Sequence, residues 1–319
     1  MEDKVWNNYW DDLIQSNKLK EKIILLDQLD GNNGVTKRTK DICKSIYENY
    51  KSIEAALKDV ESETLILLKD IENVYLQSSR VKSKDSLIVK VINRRFKYIN
   101  NRNSRYNKID EENYVDIITD LVGVRLIVSH TGDWEKVHEK LIELFPFENE
   151  WCYSEESLIP RGDEASQAML PVAYYLDDEN ELRDSFKEND IIPKLSEEGY
   201  RSIHYIVTYK NYYLEIQLRP LYMEQWCMCS HNYVYKKEGY KNYNFLNNMS
   251  LILSGVIDLS GEIGDFMKDI YNGKYILQQS VNSYYMNKDG INSIDKMIEM
   301  CNNSVQDLLK LKERIELQE

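Results

Sequence analysis

The chain has 319 residues, 42% of them hydrophobic and 30% charged, with a formal net charge of -13, a balance that suits a globular protein with a sizeable core and disfavours non-specific adhesion of the whole molecule to nucleic acid. Five cysteines at no recurring spacing fit a reduced interior better than a disulfide framework, Cys227 and Cys229 stand two apart without ligand-spaced partners for zinc, and the four histidines form neither a His-Asp dyad nor HExxH. Met1-Glu2-Asp3-Lys4 does not open a signal peptide and no segment approaches the ~20 apolar residues of a membrane helix, so the cytoplasm is the expected compartment.

Residues 4–29 read as a helix, with Trp6, Trp10, Leu13, Ile14, Ile23 and Leu26 at helical spacing and a break at Gly31-Asn32-Asn33-Gly34. A second helical region runs from Thr36 to about Gln77, its apolar stripe carried by Ile42, Ile46, Ile53, Leu57 and Val60. Nothing in residues 1–77 suggests chemistry; packing or regulation is the expectation for this N-terminal helical region.

Ser83 is placed to cap a helix reaching about Asn100, with Leu87, Ile88, Val91, Ile92 and Phe96 as its buried stripe. Lys82, Ser86 and Lys90, spaced i, i+4, i+8, fall near one face at its start, where free backbone N–H groups and the helix dipole already favour an anion. With Arg80 just upstream the set suits a polyphosphate, although a solvated basic face would read the same way. The charge distribution sharpens this: residues 80–108 hold ten Lys or Arg against the single acid Asp85, whereas residues 148–190 hold thirteen Asp or Glu against Arg161, Arg183 and Lys187. A basic island in an acidic protein points to a local polyanion site.

A helix through Val115, Ile117 and Ile118 ends near Asp120, and a strand from Val124 to Ser129 turns Arg125 away from the face of Val124, Leu126 and Val128. Trp134 to Phe145 is helical again. From Pro146 to Glu198 the pattern fades into turns and acidic residues, and about fifty residues is too long for a simple connection, which marks a functional or mobile acidic insertion over about 148–198. Order returns at Gly199-Tyr200-Arg201-Ser202, followed by a strand from Ile203 to Tyr209, a turn at Lys210-Asn211 and a second strand, which together read as an antiparallel hairpin.

That second strand, Tyr213 to Arg219, alternates strictly. Leu214, Ile216 and Leu218 enter a core while Glu215, Gln217 and Arg219 line the opposite face. Two helices follow, Leu221 to about Lys237 and Leu246 to Tyr271, and the tail from Gly290 to Glu319 is a last amphipathic helix suited to packing or oligomerisation. No Walker A sequence and no GxGxxG occur. A nucleotide would have to be held by the Arg80, Lys82, Ser86, Lys90 cluster, with Asp120 and Glu215 as the carboxylates for magnesium, which needs few protein oxygens.

Arg80-Val81-Lys82-Ser83-Lys84-Asp85-Ser86 through Lys90, Asp120-Leu121-Val122-Gly123-Val124-Arg125, Gly199-Tyr200-Arg201-Ser202-Ile203-His204, Glu215-Ile216-Gln217-Leu218-Arg219, and Trp226 through His231 to Tyr235-Lys236 together resemble, in order, the motifs of the RelA/SpoT synthetase domain. The resemblance covers roughly residues 78–272 and looks like a stand-alone small alarmone synthetase. It implies an α+β fold, with a mixed, nucleotidyltransferase-like sheet in residues 78–245 flanked by the N-terminal helices and a C-terminal helical region, 246–319. It also implies transfer of pyrophosphate from ATP to the 3′-hydroxyl of GDP or GTP. Under it Lys82, Ser86 and Lys90 hold the ATP phosphates and Arg80 and Arg125 flank the adenine. Asp120 and Glu215 hold Mg²⁺, and Glu215 takes the proton of the attacking hydroxyl. Tyr200 stacks on the acceptor base, and His204, Gln217 and Arg219 belong to the acceptor side. Pro220 stands where the family usually has Thr, and Ser230 where a Glu commonly precedes His231; both departures lie on the acceptor side.

The family also contains a toxic branch that places pyrophosphate on the 3′ end of tRNA. In that alternative Arg94, Arg95, Lys97, Arg102 and Arg105 track an acceptor stem. A non-catalytic nucleotide-sensing module on the same fold is the remote alternative, and a homo-oligomer or a neutralising protein partner are the expected assemblies.

Overall fold

The computed structural model describes residues 2–32, 38–101, 104–146, 171–175, 180–196, 200–230 and 243–271. Its centre is a six-stranded sheet of β1 (Val74–Val81), β2 (Val122–Val128), β3 (Val172–Tyr175), β4 (Ile192–Leu195), β5 (Ser202–Tyr209) and β6 (Tyr212–Pro220), in the spatial order β1-β2-β6-β5-β3-β4. The pairs β2–β6 and β3–β4 run parallel and the others antiparallel, so the mixed sheet and α+β class expected above are what the chain forms.

The strands form where alternation and turn chemistry agree. Leu214, Ile216 and Leu218 are buried on the core face of β6. Lys210 and Asn211 both have positive φ, 48° and 66°, the geometry of a two-residue turn that matches the twist of the hairpin β5–β6.

Helices α1 (Glu2–Ser16), α2 (Lys20–Asn32), α3 (Thr39–Leu68), α4 (Lys84–Lys97), α5 (Tyr114–Ile117) and α6 (Trp134–Leu144) bury their apolar residues with the sheet in one cluster that runs from Trp6 and Trp10 through Ile46, Leu57, Ile88 and Val91 to Val124 and Leu214. The N-terminal helices therefore share the core of the sheet. Beyond α7 (Asn180–Glu188), helices α8 (Leu221–Cys229) and α9 (Tyr243–Tyr271) meet around Met223, Trp226 and Ile257. No helix among the described residues is long and apolar enough to cross a membrane.

Three expectations need correction. The single helix over 4–29 is two, because Lys18 takes a left-handed φ of 53° that ends α1. The second helical region stops at Leu68, and residues expected to continue it form β1, an edge strand paired along its length with β2. The interval taken as an insertion supplies β3 and β4, and β3 pairs with β5, so this part is integral to the sheet. Arg102, the acidic residues 147–170, the turn at Asn33-Gly34, His231, Tyr235, Lys236 and the tail from 272 lie outside the described residues.

Candidate active site

The β1–β2–β6–β5 register brings distant residues onto one face. Arg80, Gly123 and Glu215 stand opposite one another on three neighbouring strands, and Ser78, Arg125, Gln217 and His204 make the adjoining row across four. Directly paired residues project from the same face of a sheet. All of these but His204, together with Asp120 just before β2, line a cavity of about 130 Å³. Gly123 leaves its centre open: a β-carbon there would meet only the Arg80 side chain, at 3.8 Å.

At one end of this cavity Asp120 binds two ammonium groups, Lys82 Nζ at 2.7 Å and Lys90 Nζ at 2.9 Å. Lys82 precedes α4 and Lys90 lies on its second turn. The backbone around Lys82 is clamped, its N–H donating to the Leu121 carbonyl and its carbonyl accepting from the Tyr50 hydroxyl. Ser83 caps α4, its hydroxyl oxygen accepting from the Ser86 N–H at 3.2 Å. Ser86 itself is exposed, with its hydroxyl 2.9 Å from that of Ser83.

Burial works against both members of the ion pair. It pushes the Asp120 carboxyl up, but Lys90 and Lys82 outweigh it and hold the group at about 2. Burial pulls the Lys82 ammonium down, with Asp120 opposing and Lys90 adding to the shift.

At the other end, Glu215 is engaged at both oxygens. His204 Nδ1 lies 3.3 Å from Oε1, and the Gln217 amide donates to Oε2 at 2.9 Å. Tyr200 Oη is 2.7 Å from His204 Nε2, so an imidazole protonated at Nδ1 donates to Glu215 and accepts from Tyr200. Burial raises the Glu215 carboxyl and Asp120 adds to that, but His204 and Lys90 together outweigh them, leaving the group below its ordinary value. Tyr174 on β3 packs edge-on against His204 and tilted against Tyr200, which also touches Trp226.

Arg219 is buried beneath this aromatic group, with NH1 and NH2 hydrogen-bonded and Nε at ion-pair distance from Glu224 but outside hydrogen-bond geometry. It donates to Gln217 at 2.7 Å and to the Cys227 sulfur at 2.7 Å, its Nε lies 3.1 Å from Glu224, and its guanidinium stands 5.9 Å from the Tyr200 ring centre. Arg125 NH1 reaches the other oxygen of Glu224 at 3.0 Å. Arg80 has no ion pair among the described residues.

The structure thus collects all eleven residues singled out in the sequence around one sheet face and the start of one helix. It does not place the neighbouring basic residues alike. Arg95 and Arg105 are 2% and 4% exposed, Arg95 donating to Thr39 and Arg105 packed on Tyr106. As interior residues they cannot track a nucleic acid backbone, which corrects that expectation for these two positions. Glu224 and Tyr174 also belong to this site, and no sequence motif points to either. Glu224 sits on a helix without any pattern marking it, and Tyr174 in a stretch that gave no strand signal.

The donor set suits a hard divalent cation. Asp120 and Glu215 face the same cavity, and the charge of Asp120 raises the proton affinity of Glu215, a repulsion that a cation between them would relieve. No group of three or more His, Cys, Asp or Glu among the described residues offers a richer metal site.

A family model described as the region found in RelA / SpoT proteins matches residues 79–240. Among solved structures, the small alarmone synthetase 1 from Bacillus subtilis bound to its product pppGpp is 18% identical with a TM-score of 0.44, over 70% of this chain and 96% of that one. A GTP pyrophosphokinase family protein from Streptococcus pneumoniae is 18% identical with a TM-score of 0.44, over 71% and 94%. A protein from Streptococcus mutans UA159 is 20% identical with a TM-score of 0.45, over 72% and 99%. Comparison with curated proteins returns no match.

Proposed function

The chain belongs to the RelA/SpoT family, and from that premise we propose that it is a pyrophosphotransferase that moves the β,γ-pyrophosphoryl group of ATP to the 3′-hydroxyl of GDP or GTP and releases AMP. The observation that carries this reading is the shared cavity of Asp120 and Glu215, with Lys82 and Lys90 at one end and the Tyr200–His204–Glu215 chain at the other. One end is equipped for a polyphosphate and the other for a base and a hydroxyl.

Each role matches its residue. Lys82, Lys90 and the capped start of α4, with Ser86, hold the donor phosphates, and the guanidinium planes of Arg80 and Arg125 flank the adenine. Asp120 and Glu215 would hold Mg²⁺, which when bound supplies positive charge against the phosphate oxygens. Tyr200 provides a face for the acceptor base, backed by Tyr174 and Trp226. Glu215 accepts the proton of the 3′-hydroxyl as its oxygen attacks the β-phosphorus and the bond to the α-phosphate oxygen breaks. A carboxylate held below its ordinary value is a weak base, so the rate depends on holding nucleophile and phosphorus in line. Gln217 and His204 fix the Glu215 oxygens for that purpose.

The test is incubation of the protein with Mg²⁺ and ATP labelled in its terminal phosphate, offering GDP, GTP and deacylated tRNA separately beside a Glu215→Gln variant. Label in a guanine nucleotide, lost in the variant, is the expected result. Label only in tRNA overturns the acceptor assignment, and ATP binding without transfer to any acceptor overturns the enzyme reading in favour of a sensing module.

A further inference from the structure

Arg125 and Arg219 belong to opposite halves of the proposed site, yet one carboxylate holds both. Glu224 Oε1 lies 3.0 Å from Arg125 NH1 and Oε2 lies 3.1 Å from Arg219 Nε. Glu224 sits on the first turn of α8, immediately after β6 has delivered Glu215, Gln217 and Arg219 to the cavity. It is not itself among the residues that line the cavity, and it reaches the cavity wall through Arg125. Its position is nevertheless at a junction: Glu224 to Arg219, Arg219 to Gln217 at 2.7 Å, and Gln217 to Glu215 at 2.9 Å form one continuous chain to the proposed base.

The two arginines need this anion for different reasons. Arg219 is 3% exposed, and the oxygens and sulfur around it leave Glu224 as its sole carboxylate partner among the described residues. A buried guanidinium without a counter-charge would turn toward solvent and withdraw the support it gives the Tyr200 ring from below. Arg125 is more exposed, at 39% of its side chain, and a long side chain in that setting samples many rotamers unless its tip is tied. Glu224 ties it on the cavity side, since Arg125 is itself part of the cavity wall.

We propose that Glu224 is a positioning residue that orders the donor and acceptor halves of the site together: through Arg125 it fixes the guanidinium beside the ATP base, and through Arg219 it fixes Tyr200 and Gln217 on the acceptor side. This rests on the pyrophosphotransferase reading and deepens it by naming the residue that joins the two nucleotide subsites.

The experiment measures dissociation constants for a non-hydrolysable ATP analogue and, separately, for GDP, both with Mg²⁺, in the wild type and in Glu224→Gln, Glu224→Asp and Arg125→Ala. Wild-type binding of both nucleotides supplies the two subsites that the proposal joins; binding of only one overturns the proposal, and binding of neither overturns the pyrophosphotransferase reading with it. Given wild-type binding, Glu224→Gln is expected to weaken the donor and the acceptor alike, by about tenfold each. Arg125→Ala should weaken the donor alone. Glu224→Asp keeps the charge and should fall between wild type and Glu224→Gln for both ligands, a rescue that loss of packing alone would not show. In steady state, Glu224→Gln should raise both KM values by a larger factor than it lowers kcat, because Glu224 contacts no reacting atom and reaches Glu215 only through Arg219 and Gln217. A change confined to one nucleotide, or none beyond twofold, overturns the proposal while leaving the pyrophosphotransferase reading intact. Should Glu224→Gln melt below the working temperature, Glu224→Asp decides: a parallel partial loss for both nucleotides upholds the proposal, and a loss for one nucleotide only, or none beyond twofold, overturns it.

Discussion

Lys82 Nζ rests 2.7 Å from Asp120 Oδ2, so a cation assigned to donor phosphate and a carboxylate assigned to metal neutralise each other within the site. Lys90 takes the second oxygen at 2.9 Å. Phosphate and metal would therefore enter by exchange: the metal takes the carboxylate and the phosphates take the lysines, and the site avoids a bare charge of either sign at every stage.

This exchange predicts an unusual binding phenotype for Asp120→Asn. Removing the negative charge frees two ammonium groups for phosphate, so ATP without Mg²⁺ should bind about tenfold more tightly than to the wild type. Mg²⁺, which should tighten ATP binding in the wild type, should do little in the variant, and pyrophosphate transfer should be lost. Calorimetric titration of a non-hydrolysable ATP analogue with and without Mg²⁺ measures all but the last. Weaker metal-free binding in the variant would show that Lys82 and Lys90 do not meet phosphate.

His138 makes the fold sensitive to pH below neutrality. It is 1% exposed on α6, with Nε2 donating to the Asn189 carbonyl at 3.1 Å and Nδ1 3.0 Å from the Tyr205 hydroxyl, an arrangement that a neutral ring completes. Burial pulls its pKa below the ordinary 6.5, with the Asn189 carbonyl and Asp190 opposing. The unfolded chain takes up a proton as the pH falls through about 6.5 while the folded chain does not. The contribution of His138 is thus complete above that value and declines below it, down to the folded pKa. Urea denaturation at pH 7.5 and 5.5 should show a larger loss of stability in the wild type than in His138→Gln, and equal losses would place the titration elsewhere.

The contrast between β6 and β1 shows what could be read from residues alone. In β6 the alternation of Leu214, Ile216 and Leu218 with Glu215, Gln217 and Arg219 is complete, because the strand has a core on one face and the site on the other. β1 is an edge strand whose Tyr75 and Leu76 are 68% and 50% exposed, so its apolar residues do not alternate and it continues visually from the stripe of α3. Pairing with β2 makes it a strand, and that is a tertiary cause. β3 and β4 have four residues each and rest on the same cause. The Lys82, Ser86 and Lys90 face was legible because lysine and hydroxyl recur at i, i+4 and i+8, whereas Asp120 and Glu215 come to one cavity only through the pairing of β2 with β6. Glu224 was not, since its partners Arg125 and Arg219 meet it only after β2 and β6 have paired in parallel.

Gly123 separates stability from binding. A methyl at this position makes only ordinary contact with Arg80, so Gly123→Ala should fold with a melting temperature close to the wild type. Gly123→Val suits a strand at least as well by propensity, but its two methyl groups project into the cavity between Arg80 and Glu215. The expected outcome is a stable protein that binds the ATP analogue at least about tenfold more weakly, each misplaced methyl in a fitted site costing about 1–3 kcal/mol. Undiminished binding in Gly123→Val would remove the cavity from the donor site.

Gly261 serves packing instead. A β-carbon there would stand 2.5 Å from Cε1 and Cζ of Tyr222, so α9 can lie against α8 only because the position is bare. Tyr222 has little room to yield, because its hydroxyl is bonded to Thr131. The same loop holds α9 through the Thr131 N–H and His130, both 3.2 Å from Asp265, and through the Asp133–Lys268 ion pair. Gly261→Ala should therefore destabilise the protein by about 1–3 kcal/mol, as overpacking generally does. Tyr222→Ala should relieve that clash while losing its own contacts. The double variant is then expected to be more stable than the sum of the single effects by about 1 kcal/mol, a coupling that denaturant titration of the four proteins resolves. Strict additivity would mean that α8 and α9 adjust independently of this contact.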